Sequence, residues 1–383
     1  MSLGRTAGRP PLLSVIVPVH RVEPYLRQCL DSVLAEAGSD VEVVAVDDAS
    51  PDGCPAILDD YARRDRRVRV VHLTTNVGLG EARNAGLDRA AGRHLWFVDG
   101  DDWLPSGTMP SVLAALRRHD PDVLLVDHEK VYEADGRREP DPSGALLRDV
   151  PGTVRLAERP ELLDVQHAAW NRLVRADLMR AMGLRFYPGW YEDCAFSHPV
   201  LVAAGRIAAL DRVCYSYRQR TSGSITRTVS TRHAEVFDQY ERLFSWLDRL
   251  GPDADPFRPR LFRIMVNHCL VILGNEARLP AAARRGFFRR LAELYGRQMP
   301  PGGYPMPAGV AGIKHRMVRD DAYLAYAMLR LAYRALARLR AAGRAGATVP
   351  LPAGATSGAA GAATRPAAAP AEPSAAPVSV RGR

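Results

Sequence analysis

The chain has 383 residues, 47% hydrophobic and 25% charged, which is ordinary globular material for one large or two moderate domains. Its formal net charge is +9, from 52 Lys and Arg against 43 Asp and Glu, but the basic residues are scattered and no DNA or RNA motif accompanies them, so nucleic acid is not an expected partner. Five cysteines (Cys29, Cys54, Cys194, Cys214, Cys269) without a CxxC pair speak against a disulfide framework and a zinc site, and no run approaches the ~18 apolar residues of a membrane span.

The first half alternates regularly. Residues 12–19, LLSVIVPV, form a continuous apolar run that reads as a buried strand. A helix from Pro24 follows, with Leu26, Leu30, Val33 and Leu34 on one face. Residues 41–46 predict a second strand and 54–64 a second helix; 68–73 predict a third strand, followed by a helix capped at Gly92. HLWFV at 94–98 is the fourth strand, a helix runs from Pro110 to His119, and 122–127 is the fifth strand.

Short connections between alternating strands and helices predict an open, mostly parallel α/β sheet with helices on both faces. Ligands in such sheets bind at the carboxyl ends of the strands, where the polar clusters fall. From about 130 to 225 the pattern loosens, and from 229 to 342 helical periodicity dominates. The expected division is a flexible segment 1–11, a catalytic domain 12–228 with nucleotide half 12–127 and acceptor half 128–228, a helical region 229–342, and a disordered Ala/Pro/Gly-rich tail 343–383. Arg330, Arg334 and Arg338, spaced four apart, make peripheral contact with anionic membrane one reading of the last helix and packing on the catalytic domain the other. The expected location is cytoplasmic, at most peripheral on the inner face of the cell membrane.

Three carboxylates, Asp99, Asp101 and Asp102, stand directly after the fourth strand. A carboxylate pair separated by one residue can present oxygens to a hard divalent cation, Mn²⁺ or Mg²⁺, whose other positions go to water and substrate phosphates. A solvated acidic turn before a helix explains the same residues. Asp47 and Asp48 form a second pair, suited to a nucleobase or ribose and equally to a turn with Pro51 and Gly53. Gly78-x-Gly80 lacks the third glycine of a dinucleotide fingerprint and follows the wrong strand. Arg83 is a candidate partner for phosphate or base, or one half of a surface salt bridge.

Taken in order, SVIVPVHRVEPYLRQCLDSV, VVAVDDASPDG, NVGLGEARNAGLDRAAG and WFVDGDDWL resemble the blocks of family 2 glycosyltransferases, which have the GT-A fold. WNRLVR, YEDCAF and YSYRQRTSGSIT resemble later blocks of their bacterial cell-surface-polysaccharide and teichoic-acid branch, so the likeness covers about residues 12–227. The resemblance implies an inverting hexosyl- or N-acetylhexosaminyltransferase with a nucleotide-sugar donor, commonly UDP-linked, and a glycan, glycopolymer or lipid-linked acceptor. It places Pro18, Val19, Glu23, Asp47, Asp48, Arg83 and Asp99 at the donor, Asp101 with Asp99 at the metal, and Asp193 as the catalytic base. Trp170, Asn171 and Glu192 fall on the acceptor side. His20–Arg21 and Arg172 depart from the commonest pattern, which has a Tyr-Asn-like pair and Lys there. A sugar-phosphate nucleotidyltransferase and a non-catalytic glycan- or nucleotide-binding scaffold are the alternatives. The first lacks a basic Gly-rich phosphate loop after strand one, and the second would be expected to have lost a carboxylate that is present here.

Overall fold

The computed structural model describes residues 10–221 and 225–346. Residues 1–9 and the low-complexity stretch from 347 onward, read above as flexible and disordered, lie outside the described residues. Described strands are β1 (Leu13–Val19), β2 (Val41–Asp47), β3 (Val68–His72), β4 (His94–Phe97), β5 (Val123–Tyr132), β6 (Arg138–Pro140), β7 (Arg172–Arg175) and β8 (Ile207–Gln219). The helices are α1 (Glu23–Leu34), α2 (Cys54–Arg64), α3 (Leu79–Leu87), α4 (Thr108–His119), α5 (Ala176–Met182), α6 (Cys194–Ala203), α7 (Val236–Leu250), α8 (Arg258–Gly274), α9 (Arg284–Gln298), α10 (Gly309–Arg319) and α11 (Tyr323–Gly346).

The strands form one sheet in the order β3-β2-β1-β4-β7-β5-β6, with β8 pairing β5. β3, β2, β1 and β4 are mutually parallel, as the alternating pattern predicts. β7 is the departure. It inserts antiparallel between β4 and β5, Leu173 pairing with both Trp96 and Leu124, and makes the sheet mixed. β8 then runs parallel to β5 over its full length.

Strand side chains alternate between two cores. Ile16, Val44, Val46, Leu95, Phe97, Val123 and Leu125 face one, and Val15, Val17, Val43, Trp96, Leu124 and Val126 the other. Burial on both faces is why these strands read as unbroken apolar runs. α1, α2 and α4 cover the second face through Leu26, Leu30, Leu58, Val112 and Leu116. The first face is continuous with α6 to α9, through Phe196, Phe237, Phe244, Phe262 and Phe288. The helical region therefore shares its interior with the sheet.

Residues up to Arg330 form one compact unit, and those from Leu331 a second that begins within α11. Leu324, Met328, Leu331 and Leu336 of this helix are exposed, and no helix among the described residues is long and apolar enough to cross a membrane.

α3 is shorter than its sequence suggests: it ends at Leu87 with Asp88 as its cap, so Gly92 is not a helix cap. The cause is a buried polar pair. Ser14 donates to Glu42 at 2.6 Å, and the pair receives the backbone N–H groups of Gly92 and Ala91 at 2.7 and 2.6 Å. A Cβ on residue 92 would stand 2.5 Å from the Ser14 nitrogen, whereas one on Gly38 would meet nothing within 4 Å. Gly92→Ala is therefore expected to destabilise the protein by about 1–3 kcal/mol through overpacking. Gly38→Ala should leave the urea midpoint unchanged, and equal midpoints for the two variants would refute this packing argument.

Candidate active site

The carboxyl ends of β1, β2, β3 and β4 lie side by side, and the loops leaving them build a single wall. Three non-glycine residues at its edge adopt positive φ: Arg21 at 54°, Ala49 at 49° and Tyr191 at 65°. Such conformations persist only where surrounding contacts over-determine them. Here Arg21 N donates to Ser50 Oγ at 2.8 Å, Ser50 N donates to Asp47 at 2.9 Å, and Trp190 N donates to Glu235 of the turn entering α7 at 2.7 Å.

Arg83, on α3, is the centre of the arrangement. Its side chain is 1% exposed, and its guanidinium donates to Asp99 at 2.8 Å, to Glu192 at 2.7 Å and to Asp193 at 2.9 Å. It therefore ties the turn after β4 to the segment entering α6. Three carboxylates around one cation leave the cluster net negative. Burial pushes Glu192 up, and Asp193 beside it adds to the shift while Arg83 opposes it. Burial also raises Asp193, against the pull of Arg83.

The three aspartates after β4 have three different partners. Asp99 takes Arg83. Asp101 takes Arg220, Nη1 to Oδ2, at 3.0 Å. Asp102 is fully buried and accepts from the Tyr215 hydroxyl and the Arg218 backbone N–H, both at 2.7 Å. Arg218 also donates to the Asp101 carbonyl at 2.7 Å, so β8 clamps the turn. Burial, with Asp99 close by, raises the pKa of Asp101, and Arg220 only partly offsets this. A divalent cation with oxygen preference fits this turn, because hard carboxylate ligands are present and Asp99 and Asp101 keep partly open oxygens.

Several residues expected at the ligand also hold the scaffold. Asp47 is buried, accepting from Ser50 N and facing His72 Nδ1 at 2.9 Å. Asp48 is buried and closes the loop after β3, accepting from Val77 N at 2.7 Å and Gly78 N at 2.9 Å. Glu23 accepts from Gly53 N at 2.7 Å, at the start of α2. Pro18 and Val19 are buried in β1, with Val19 O accepting from Asp48 N. Arg83 does not open toward a phosphate, nor is it a surface bridge.

Trp170 and Asn171, expected on the acceptor side, are packed in the core. Trp170 stacks on Tyr215 at 4.4 Å, and Asn171 is fully buried, bonding Gln166 O and Arg172. Arg172 is also fully buried, its guanidinium donating to Ser197 O and Gln166 O. Glu192, 4% exposed, reaches the cleft only through Arg83 and Asp193.

Among the proposed acidic ligands and base, Asp99, Asp101 and Asp193 stay partly open, with side chains 20%, 24% and 22% exposed. Sequence reasoning missed Arg218, Arg220 and Tyr215. Their signal was the density of Tyr and Arg in YSYRQR, at the end of β8 that meets the acidic turn.

Residues 14–178 match the family described as Glycosyl transferase family 2. The glycosyltransferase EpsJ of Bacillus subtilis is 33% identical over 220 residues, 55% of this chain and 61% of that protein. The poly(ribitol-phosphate) beta-N-acetylglucosaminyltransferase TarS of Staphylococcus aureus is 28% identical over 233 residues, 60% of this chain and 38% of that one. The crystal structure of S. aureus TarS 1–349 in complex with UDP matches with a TM-score of 0.64 at 22% identity, covering 84% of this chain and 91% of that chain. That of TarS 1–349 with UDP-GlcNAc matches at 0.59 and 23%, covering 74% and 80%. The chain thus spans less than two thirds of EpsJ and of TarS. Residues 14–178 form a glycosyl transferase family 2 domain, and the chain has the GT-A fold.

Removing the Arg83 charge leaves its three carboxylates without their shared cation. Arg83→Met should cost about 3–5 kcal/mol at neutral pH. Without the guanidinium the Glu192 and Asp193 pKa values rise further above their unfolded values, so the folded state binds the extra protons and stability falls as pH rises. The deficit against wild type should therefore be largest at neutral pH and shrink toward pH 5 in urea titrations. A deficit that grew on acidification would contradict the assignment.

Proposed function

We propose that this family 2 glycosyltransferase moves a sugar, with inversion, from a nucleoside-diphosphate donor to a hydroxyl of a cell-envelope glycopolymer. The observation that carries the reading is the trio of partly open carboxylates, with Asp99 and Asp193 joined by buried Arg83 and Asp101 paired to Arg220 beside them. Such a transfer needs stabilisation of the departing diphosphate and removal of a proton from the acceptor.

A divalent cation, Mn²⁺ or Mg²⁺, held by Asp101 with Asp99 alongside, would neutralise charge on the diphosphate. Arg220, ion-paired to Asp101, is placed to turn its guanidinium to a phosphate when the carboxylate has a cation, since its planar fork suits both. Asp193, at the start of α6 on the other side of Arg83, takes the acceptor proton as the attacking oxygen forms its bond to the anomeric carbon. Its burial raises the pKa and so makes it a better base than a solvated aspartate. Asp47, Asp48 and Glu23 shape the donor wall by holding its loops. A UDP-sugar is the favoured donor because fold neighbours carry UDP and UDP-GlcNAc. The TarS relative, named for transfer to a poly(ribitol-phosphate), supports a glycopolymer acceptor.

UDP should bind more tightly with Mn²⁺ than with EDTA, and Asp101→Ala should abolish the difference, as read by calorimetry. Equal affinity for wild type in the two buffers would rule out the cation role. Asp193→Asn keeps the shape but cannot take the proton. Its UDP affinity with Mn²⁺ should match wild type, while transfer from the donor identified by nucleotide-sugar hydrolysis screening should fall by about 10²–10⁴-fold. Wild-type turnover would place the base elsewhere, and loss of UDP binding would place Asp193 at the nucleotide.

A further inference from the structure

Behind the base, four side chains that the transfer chemistry does not use converge. His167 precedes β7, Cys194 opens α6, and His268 lies in α8; one ligand atom from each lies within 4.8 Å of the others. Cys194 Sγ is 3.8 Å from His268 Nδ1, and the rings of His167 and His268 are 4.6 Å apart. His198 stands four residues after Cys194, hence on the same face of α6, with its ring 5.4 Å from that of His167. Its Nδ1 lies 3.3 Å from the Cys194 carbonyl, while its Nε2 is buried without any hydrogen-bond partner. The His198 side chain is 1% exposed, so that nitrogen has no water to turn to. An orphaned buried acceptor among three other donors asks for a ligand.

We propose that His167, Cys194, His198 and His268 form a structural site for a zinc-class divalent ion. Three imidazoles and one thiolate are a donor set that suits tetrahedral Zn²⁺. With bonds of about 2.0–2.3 Å, a tetrahedral ion sets its ligand atoms roughly 3.3–3.6 Å apart, so His167, Cys194 and His268 need a contraction of up to about 1.5 Å, and His198 has to bring its Nε2 in from the neighbouring turn of α6. Burial keeps all three imidazoles neutral, the form that ligates: His167 is pressed down to about 4, and His198 and His268 well below their ordinary value. The Cys194 proton would leave to solvent as the ion enters, replaced by the metal–sulfur bond. His167 and His268 are only half-buried, which leaves an entry path. The ion would pin the start of α6, and so Glu192 and Asp193, to α8 and to the segment before β7. CxxC spacing could not reveal this site, because its ligands come from three separate parts of the chain.

Cobalt(II) distinguishes this site from the acidic turn, because only a cysteine ligand gives a near-ultraviolet thiolate-to-cobalt charge-transfer band. Full-length protein dialysed against chelator and titrated with Co²⁺ should develop that band and tetrahedral visible bands, saturate at one equivalent, and lose both when equimolar Zn²⁺ is added. Cys194→Ser should abolish the charge-transfer band. Cys269→Ser, a buried cysteine on α8 outside the cluster, should retain it. Absence of the band in wild type, its persistence in Cys194→Ser, or weak octahedral bands alone would each overturn the proposal. The wild-type titration decides even if a variant fails to fold.

Discussion

Everything at the cleft depends on one buried guanidinium. Taking an arginine out of water costs several kcal/mol, and only good geometry with charge-assisted hydrogen bonds offsets it. Arg83 meets that condition with carboxylates from two distant segments, Asp99 and the Glu192–Asp193 pair. Lysine could not hold the same set, since its point charge lacks the planar fork that faces several oxygens at once. The spacing between Asp99 and the Glu192–Asp193 pair is therefore fixed by the guanidinium's width. Reactant positioning on that scale accounts for a large share of what enzymes achieve.

The acidic turn shows how three carboxylates within four residues meet three environments. Asp102 is consumed by β8, Asp99 by Arg83, and Asp101 alone answers to a residue, Arg220, at the rim. Like charges so close cannot all be solvated in a sheet edge, and each is stabilised by a different part of the chain. Arg218 adds stiffness, stacking its guanidinium over Tyr25 and Trp103 while bonding the turn's own carbonyl.

The C-terminal helices belong to this scaffold. Glu235 receives the Trp190 N–H, and Gln239 of α7 donates to the Pro188 carbonyl, so α7 and the turn entering it hold the loop that delivers Tyr191, Glu192 and Asp193. The strained φ of Tyr191 is tolerated because both sides of that loop are fastened. A shared apolar interior from β1 through α9 makes the loop's position a property of the whole packed unit.

By itself the sequence determined that β1 to β4 are strands of a mostly parallel sheet, because strands buried on both faces show as apolar runs and the turns between them carry their own chemistry in Pro, Gly and Asp, while the order β3-β2-β1-β4 came from the structure. It also determined which carboxylates sit at strand ends, and hence where a cleft would lie. Tertiary structure decided the rest. RLVR of β7 is too short and too charged at its ends to reveal an antiparallel insertion, which pairing with Trp96 and Leu124 imposes. Whether Asp48, Trp170 or Arg83 faces ligand or interior depends on partners such as Gly78 N, Tyr215 and Glu192. The Arg83–Glu192, Trp170–Tyr215 and Arg220–Asp101 contacts join residues far apart along the chain. Local periodicity encodes an element's type and its turns, but such contacts arise only when separate elements pack, and packing alone selects which charge meets which.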